Sequence, residues 1–137
     1  YHEWKFWIEK YIPYIHSEVN LVGHSLAGTF LAKYLAENDF SKKILATFLV
    51  APVFDEINIK ESLADFKLPA SLEKLENQSG KIFLYHSKDD PVVPFADFEK
   101  IQKALKIATG RVFTDRDHFR QEEFPEIIKD IKNLYVS

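Results

Sequence analysis

The chain has 137 residues, of which 46% are hydrophobic and 28% charged, with a formal net charge of −3 at pH 7. That length suits one compact domain with a single core, and the composition excludes a disordered chain. No basic footprint for nucleic acid is present, and no apolar run approaches the ~20 residues of a membrane helix. The sequence also has no cysteine, so disulfides, thiolate metal sites and thiol catalysis are out of reach.

Residues 2–12 place Trp4, Trp7, Ile8 and Tyr11 at helical spacing, with Glu3, Lys5, Glu9 and Lys10 elsewhere on the wheel. Pro13 ends that helix. Residues 19–23 form a short apolar strand that runs into His24-Ser25-Leu26-Ala27-Gly28, followed by a helix with Phe30, Leu31, Tyr34 and Leu35 on one face. Residues 44–50, rich in branched and aromatic side chains, read as a buried parallel strand closing on Ala51-Pro52. Residues 53–70 are irregular, and a helix is expected over 71–78. Gly80 resets the chain before a strand over 81–86. A loop over 87–94 carries two acids and two prolines, and Phe98, Ile101 and Leu105 mark a helix over 96–106. A fourth strand covers 111–114, and a polar loop follows over 115–122. The last helix opens at Pro125 and is expected to bury Phe124, Ile127, Ile128, Ile131 and Leu134.

One helix followed by four strand-to-helix units predicts an α/β fold, with a mostly parallel sheet and helices on both faces. No repeat, low-complexity stretch or internal boundary breaks residues 1–137, so a single domain is expected. The chain opens at Tyr1, inside a helical pattern, and contains no methionine. The expectation is a domain whose first strands lie upstream of this sequence.

Ligands in such sheets bind beyond the carboxyl ends of the strands. Three polar clusters fall there, in the order Ser25, Asp89-Asp90, His118. Ser-Asp-His is the chain order of the α/β-hydrolase triad. Ser25 sits where a strand turns at once into a helix, between small residues at 23 and 27 that let the two approach. Such a turn exposes the hydroxyl and points the Leu26 N–H at a developing oxyanion. The plainer role for a serine in this place is a helix cap. Serine needs a base, itself held by a third group. His118 follows a strand and has polar neighbours, whereas His2, His16 and His86 are poorly placed, and His24 adjoins the nucleophile with its side chain expected to point away. For the acid, Asp90 begins an Asp-x-x-Val-Pro stretch. Asp89, Asp55 and Asp115 remain alternatives, with Asp89 the expected brace of the loop.

The stretches LVGHSLAGTFLAKYL, SKDDPVVPF and FTDRDHFRQEEFPEIIKDI resemble those of the small serine hydrolases of the α/β-hydrolase superfamily related to retinoblastoma-binding protein 9 and the bacterial YdeN-like proteins. The resemblance covers nearly the whole chain. It implies an α/β-hydrolase fold, of which about four strands of the C-terminal part are present here, and it carries the catalytic triad onto Ser25, Asp90 and His118. Ala27 stands where many relatives have glycine, and Asp117 where a glycine usually precedes the histidine. The family's first strands, with the His-Gly loop that supplies a second oxyanion donor, have no counterpart in this sequence.

The leading expectation is a carboxylesterase-type serine hydrolase for small acyl esters or amides, working through an acyl-enzyme without cofactor or metal. His24, Phe54 and Phe66 are candidate substrate contacts. The segment between the second and third strands is short for a lid, which points to an open, shallow pocket. The competing expectation is a non-catalytic protein-binding module with an incomplete site. A metallohydrolase using Asp89, Asp90 and His118 lacks recognisable ligand spacing. Partners are expected to be a small-molecule substrate and, through an exposed edge at residues 19–22, a second copy of the chain. Neither nucleic acid nor membrane is expected as a partner, and the expected location is cytoplasmic, since nothing calls for an oxidising compartment.

Overall fold

Alternation along the two central strands decides the layering. In β2 (Lys43–Val50) Ala46, Phe48 and Val50 face one side and Ile44 and Leu49 the other; in β3 (Lys81–Ser87) Phe83 and Tyr85 oppose Ile82 and Leu84. Strands buried on both faces in this way belong inside a parallel sheet. The structure, a computed structural model, describes residues 1–55 and 63–136. Its sheet has the order β1-β2-β3-β4, every neighbouring pair parallel, with β1 at Glu18–His24 and β4 at Thr109–Phe113. No helix among the described residues is long and apolar enough to cross a membrane.

One face carries α1 (His2–Tyr11), α2 (Leu26–Glu37), α3 (Glu73–Gln78) and α4 (Phe95–Ala104), packed on Ile44, Leu49, Ile82 and Leu84. The opposite face is covered by α5 (Pro125–Asn133), whose Ile127 closes over Phe48, Phe83 and Tyr85. Phe48 and Phe83 stack with ring centroids 5.0 Å apart. Thr47 interrupts the apolar pattern of β2 yet is fully buried, because its hydroxyl donates to the Ser79 carbonyl at 3.1 Å. Gly80 follows with φ 62, and a Cβ there would lie 2.2 Å from the Leu45 carbonyl oxygen. Only glycine fits that turn.

Two helices sit differently from their sequence pattern. In α1 the inward line is Tyr1, Ile8 and Ile12; Trp4 packs edge-on against Phe30 but is 42% exposed, and Trp7 and Tyr11 are more exposed still. Pro13 falls in a 3-10 turn at Ile12–Tyr14, just past the last α-helical residue, as expected of a proline stop. In α5 the expectation for Ile128 was wrong: it is 50% exposed. Ile127 and Ile131 already fill the sheet-facing stripe, and 128 lies about 100° round the helix from 127. The irregular stretch expected over 53–70 includes a 3-10 turn at Ala64–Phe66; its residues 56–62, and with them the short-lid reading, lie outside the described residues.

A polar pin fixes α5 to the sheet. Asp130 accepts two hydrogen bonds from Arg111, at 3.0 and 2.8 Å, and one from the Tyr85 hydroxyl at 2.7 Å. The Arg111 guanidinium foremost, with help from Tyr85 and against the opposing effect of burial, holds the Asp130 carboxyl below its ordinary value. Its folded value is depressed, so the contribution is complete above the unfolded carboxylate range and is lost as pH falls through the folded value. Replacing Asp130 with alanine leaves a buried phenol and a guanidinium without their acceptor. Because the guanidinium is 42% exposed and can be rehydrated, the unpaired phenol dominates, and urea denaturation at pH 7 is expected to show a loss of about 1–3 kcal/mol; the difference from the parent protein should shrink as the pH drops below about 4.

Candidate active site

The turn between β1 and α2 is set by two glycines. A Cβ on Gly23 would lie 2.6 Å from the Ala27 carbonyl oxygen and 2.8 Å from the Gly28 Cα; one on Gly28 would lie 2.9 Å from the Gly23 oxygen and 3.3 Å from the Pro52 Cβ. Strand and helix backbones therefore touch, and the residue between them has little room to turn. Ser25 takes φ 54 and ψ −124, a conformation L-residues rarely adopt. Ser25 is positionally the N-cap of α2, but its side chain makes no capping hydrogen bond. Its own N–H donates to the Val50 carbonyl at 2.7 Å, which anchors the turn to the end of β2. Leu26 is the first residue of α2, so its N–H has no intrahelical acceptor. The second small residue of the motif is thus Gly28 rather than Ala27, which explains why alanine is accommodated at 27.

Asp90 and His118 are joined directly. The His118 Nδ1 donates to Asp90 Oδ2 at 2.8 Å, with the two side chains 7% and 0% exposed. Asp90 Oδ1 accepts the backbone N–H groups of Val92 and Val93 at 2.8 and 2.9 Å. Burial works to raise the Asp90 carboxyl, but the hydrogen bonds from His118, Val93 and Val92 prevail and hold it below its ordinary value. It is therefore a carboxylate at neutral pH, and with Nδ1–H donated to it, the Nε2 of neutral His118 carries a lone pair. Ser25 Oγ and His118 make no hydrogen bond in this conformation; such contacts are often long before substrate binds.

The other carboxylates are engaged elsewhere. Asp89 accepts from the Ser87 hydroxyl and, at 3.1 Å, from the Asp117 N–H, so it ties the loop after β3 to the loop after β4. Asp55 binds Lys100 at 2.5 Å, and Asp115 lies 3.7 Å from Arg116. Among the described residues no group of three or more His, Asp or Glu side chains could hold a metal ion. Asp117 adopts φ 50, which accounts for the glycine common at this position. Its carboxylate accepts the His118 N–H.

His24 and the two phenylalanines are placed as follows. The His24 Nε2–H donates to the His118 carbonyl oxygen at 2.8 Å, with ring centroids 4.7 Å apart. Its side chain is therefore committed to the loop bearing His118. Phe66 packs edge-on against Tyr1 and Trp4, at 6.1 and 5.1 Å. The Phe54 N–H donates to Asp97 at 2.9 Å, and the Lys100 ammonium lies over its ring. A groove runs along α5 past Phe124, Pro125 and Ile128, and its lining includes none of Ser25, Asp90 and His118.

Two supporting residues escaped the sequence reading. His86 is fully buried, and its Nε2–H donates at 3.0 Å to the carbonyl of Val93, whose N–H in turn holds Asp90. Burial pushes the His86 imidazole below its ordinary value, so it stays neutral. Thr29 accepts the Val53 N–H at 2.8 Å and fastens the segment after β2 to the first turn of α2. A histidine inside an apolar strand and a threonine one turn into a helix do carry a signal, since buried polar groups need partners. The partners themselves are distant in sequence.

Comparison with known proteins bears on the family and the fold. The family described as "Serine hydrolase" matches residues 1–123. The serine hydrolase RBBP9 of Rattus norvegicus is 26% identical over 132 residues, covering 90% of this chain and 68% of its own length. The ydeN gene product of B. subtilis superposes with a TM-score of 0.82 at 18% identity, over 93% of this chain and 71% of that one. The serine hydrolase CCSP0084 from Cycloclasticus zankles gives a TM-score of 0.66 at 14% identity, over 87% and 64%. These structural likenesses identify the fold as that of the α/β hydrolases.

The Gly23–Gly28 contact makes a direct prediction. Gly23→Ala forces a methyl group into the α2 backbone and is expected to destabilise the protein by about 1–3 kcal/mol, measured by urea denaturation, because a main-chain obstacle cannot swing aside.

Proposed function

Since the chain belongs to the serine hydrolase family, we propose that Ser25, His118 and Asp90 form its catalytic triad and that it cleaves small carboxylic esters through an acyl-enzyme. The observation that carries this reading is the buried Asp90–His118 hydrogen bond, set beside a serine in a strained strand-to-helix turn. Ser25 Oγ attacks the acyl carbon as His118 Nε2 takes its proton. The Leu26 N–H donates to the oxyanion, and the imidazolium returns the proton to the departing alkoxide, leaving Ser25 acylated. Water then repeats the sequence and releases the acid. Asp90 keeps its charge throughout, fixes the ring through Nδ1 and stabilises the imidazolium. Amides are a more demanding substrate class for the same machinery.

Ester turnover tests the assignment. With p-nitrophenyl acetate, Ser25→Ala is expected to abolish hydrolysis. Asp90→Asn, which retains shape but loses the charge and can favour the wrong tautomer, should lower kcat by about a thousandfold or more. Unchanged turnover in Ser25→Ala contradicts the proposal, and full activity in Asp90→Asn removes Asp90 from the triad.

A further inference from the structure

His118 lies between two residues in the left-handed region, Asp117 at φ 50 and Phe119 at φ 55, neither of them glycine. A loop of that shape persists only where its surroundings hold it. From the acid side, Asp89 accepts the Asp117 N–H and Ser87 Oγ accepts the Arg116 N–H at 3.1 Å. Within the loop, the Phe119 N–H and the Gln121 side chain both donate to the Arg116 carbonyl, at 2.9 and 2.7 Å. From the nucleophile side the hold is His24, the residue immediately before Ser25, whose Nε2–H reaches the main-chain carbonyl of His118 itself.

We propose that His24 is a positioning residue for His118, its Nε2–H registering the loop that carries the base against the turn that carries the nucleophile. The effect on catalysis rests on the triad reading above. The bond fixes the His24 tautomer: with Nε2 protonated and donating, a neutral ring leaves Nδ1 as a lone pair. His24 is exposed at the end of β1, yet partial desolvation of its ring, ahead of the other influences, lowers the imidazole from its ordinary value. A neutral neighbour adds no charge to oppose the proton that His118 takes from Ser25. Because donor and nucleophile are consecutive residues, a shift of the elbow moves the base loop with it. That coupling matters where misplacement by about 1 Å can cost a hundredfold in rate.

Two replacements separate the donor from the ring. His24→Phe keeps the aromatic packing without the N–H, and His24→Gln keeps an N–H able to reach the same carbonyl. In the full chain, His24→Phe is expected to lower kcat for p-nitrophenyl acetate about tenfold to a hundredfold, with KM within about twofold of the parent value. His24→Gln should recover most of that loss. Equal activity of both variants overturns the proposal, and so does a change confined to KM, which would mark a substrate contact. A readout independent of turnover is the downfield Nδ1–H proton of His118, assigned by its loss in His118→Gln. It should stay sharp in the parent and His24→Gln and broaden in His24→Phe; an unaffected signal in His24→Phe overturns the proposal even if activity falls. A parent protein without esterase activity refutes the hydrolase reading alone, and the proton resonance then decides the role of His24.

Discussion

The backbone contact between Gly23 and Gly28 is the constraint on which the site depends. Two main chains meet there with no space for a Cβ on either, so the intervening residues must reverse direction in a single tight turn. Ser25 takes up the strain, and its hydroxyl is spared the capping role that serine otherwise plays at a helix start. The same turn leaves the Leu26 N–H at the head of α2 without a helical acceptor. The strained Ser25 and the unpaired Leu26 N–H, the proposed nucleophile and oxyanion donor, are thus two consequences of one packing event, held in place by the Ser25–Val50 hydrogen bond at the end of the neighbouring strand.

Strain is concentrated where the chemistry is proposed. Of the five non-glycine residues with positive φ among the described residues, Ser25, Ala51, Asp117 and Phe119 each follow the carboxyl end of a sheet strand, and only Ala64, in the 3-10 turn at Ala64–Phe66, does not. The apolar layers beneath them are regular: alternate side chains of β2 and β3 fill two separate cores. That rigid base supports loops in unfavourable conformations, fastened to one another by short polar links. Ser87 and Asp89 connect the loop after β3 to the loop after β4, His86 supports Val93 beneath Asp90, and His24 joins the turn before α2 to the loop bearing His118.

Most of this architecture was readable from the residues. The alternation of 44–50 and 81–86 and the strand-turn-helix at 19–35 identified the sheet and the tight turn at Ser25, and the structure joins two of the three residues of the Ser-Asp-His order, Asp90 and His118, directly. The choice of Asp90 over Asp89 followed from one short pattern, and the geometry gives it a cause: Asp90 meets the imidazole while Asp89 turns to Ser87 and Asp117. Helix rotation was less legible. The sequence of α1 is aromatic on more than one side, and α5 has Ile127 and Ile128 adjacent, so periodicity alone could not say which faces the sheet. His24 was expected to point away from the nucleophile and was also a candidate substrate contact, because its partner is a main-chain carbonyl 94 residues away in sequence. No side-chain pattern encodes an acceptor of that kind.

The most direct measurement is covalent labelling of the full chain with a fluorophosphonate probe, followed by peptide mapping. An activated serine held by the Asp90–His118 pair predicts a single adduct, on Ser25, formed much more slowly when Asp90 is replaced with asparagine. A protein that takes no label at Ser25 would contradict the triad and favour a non-catalytic binding role for the same fold.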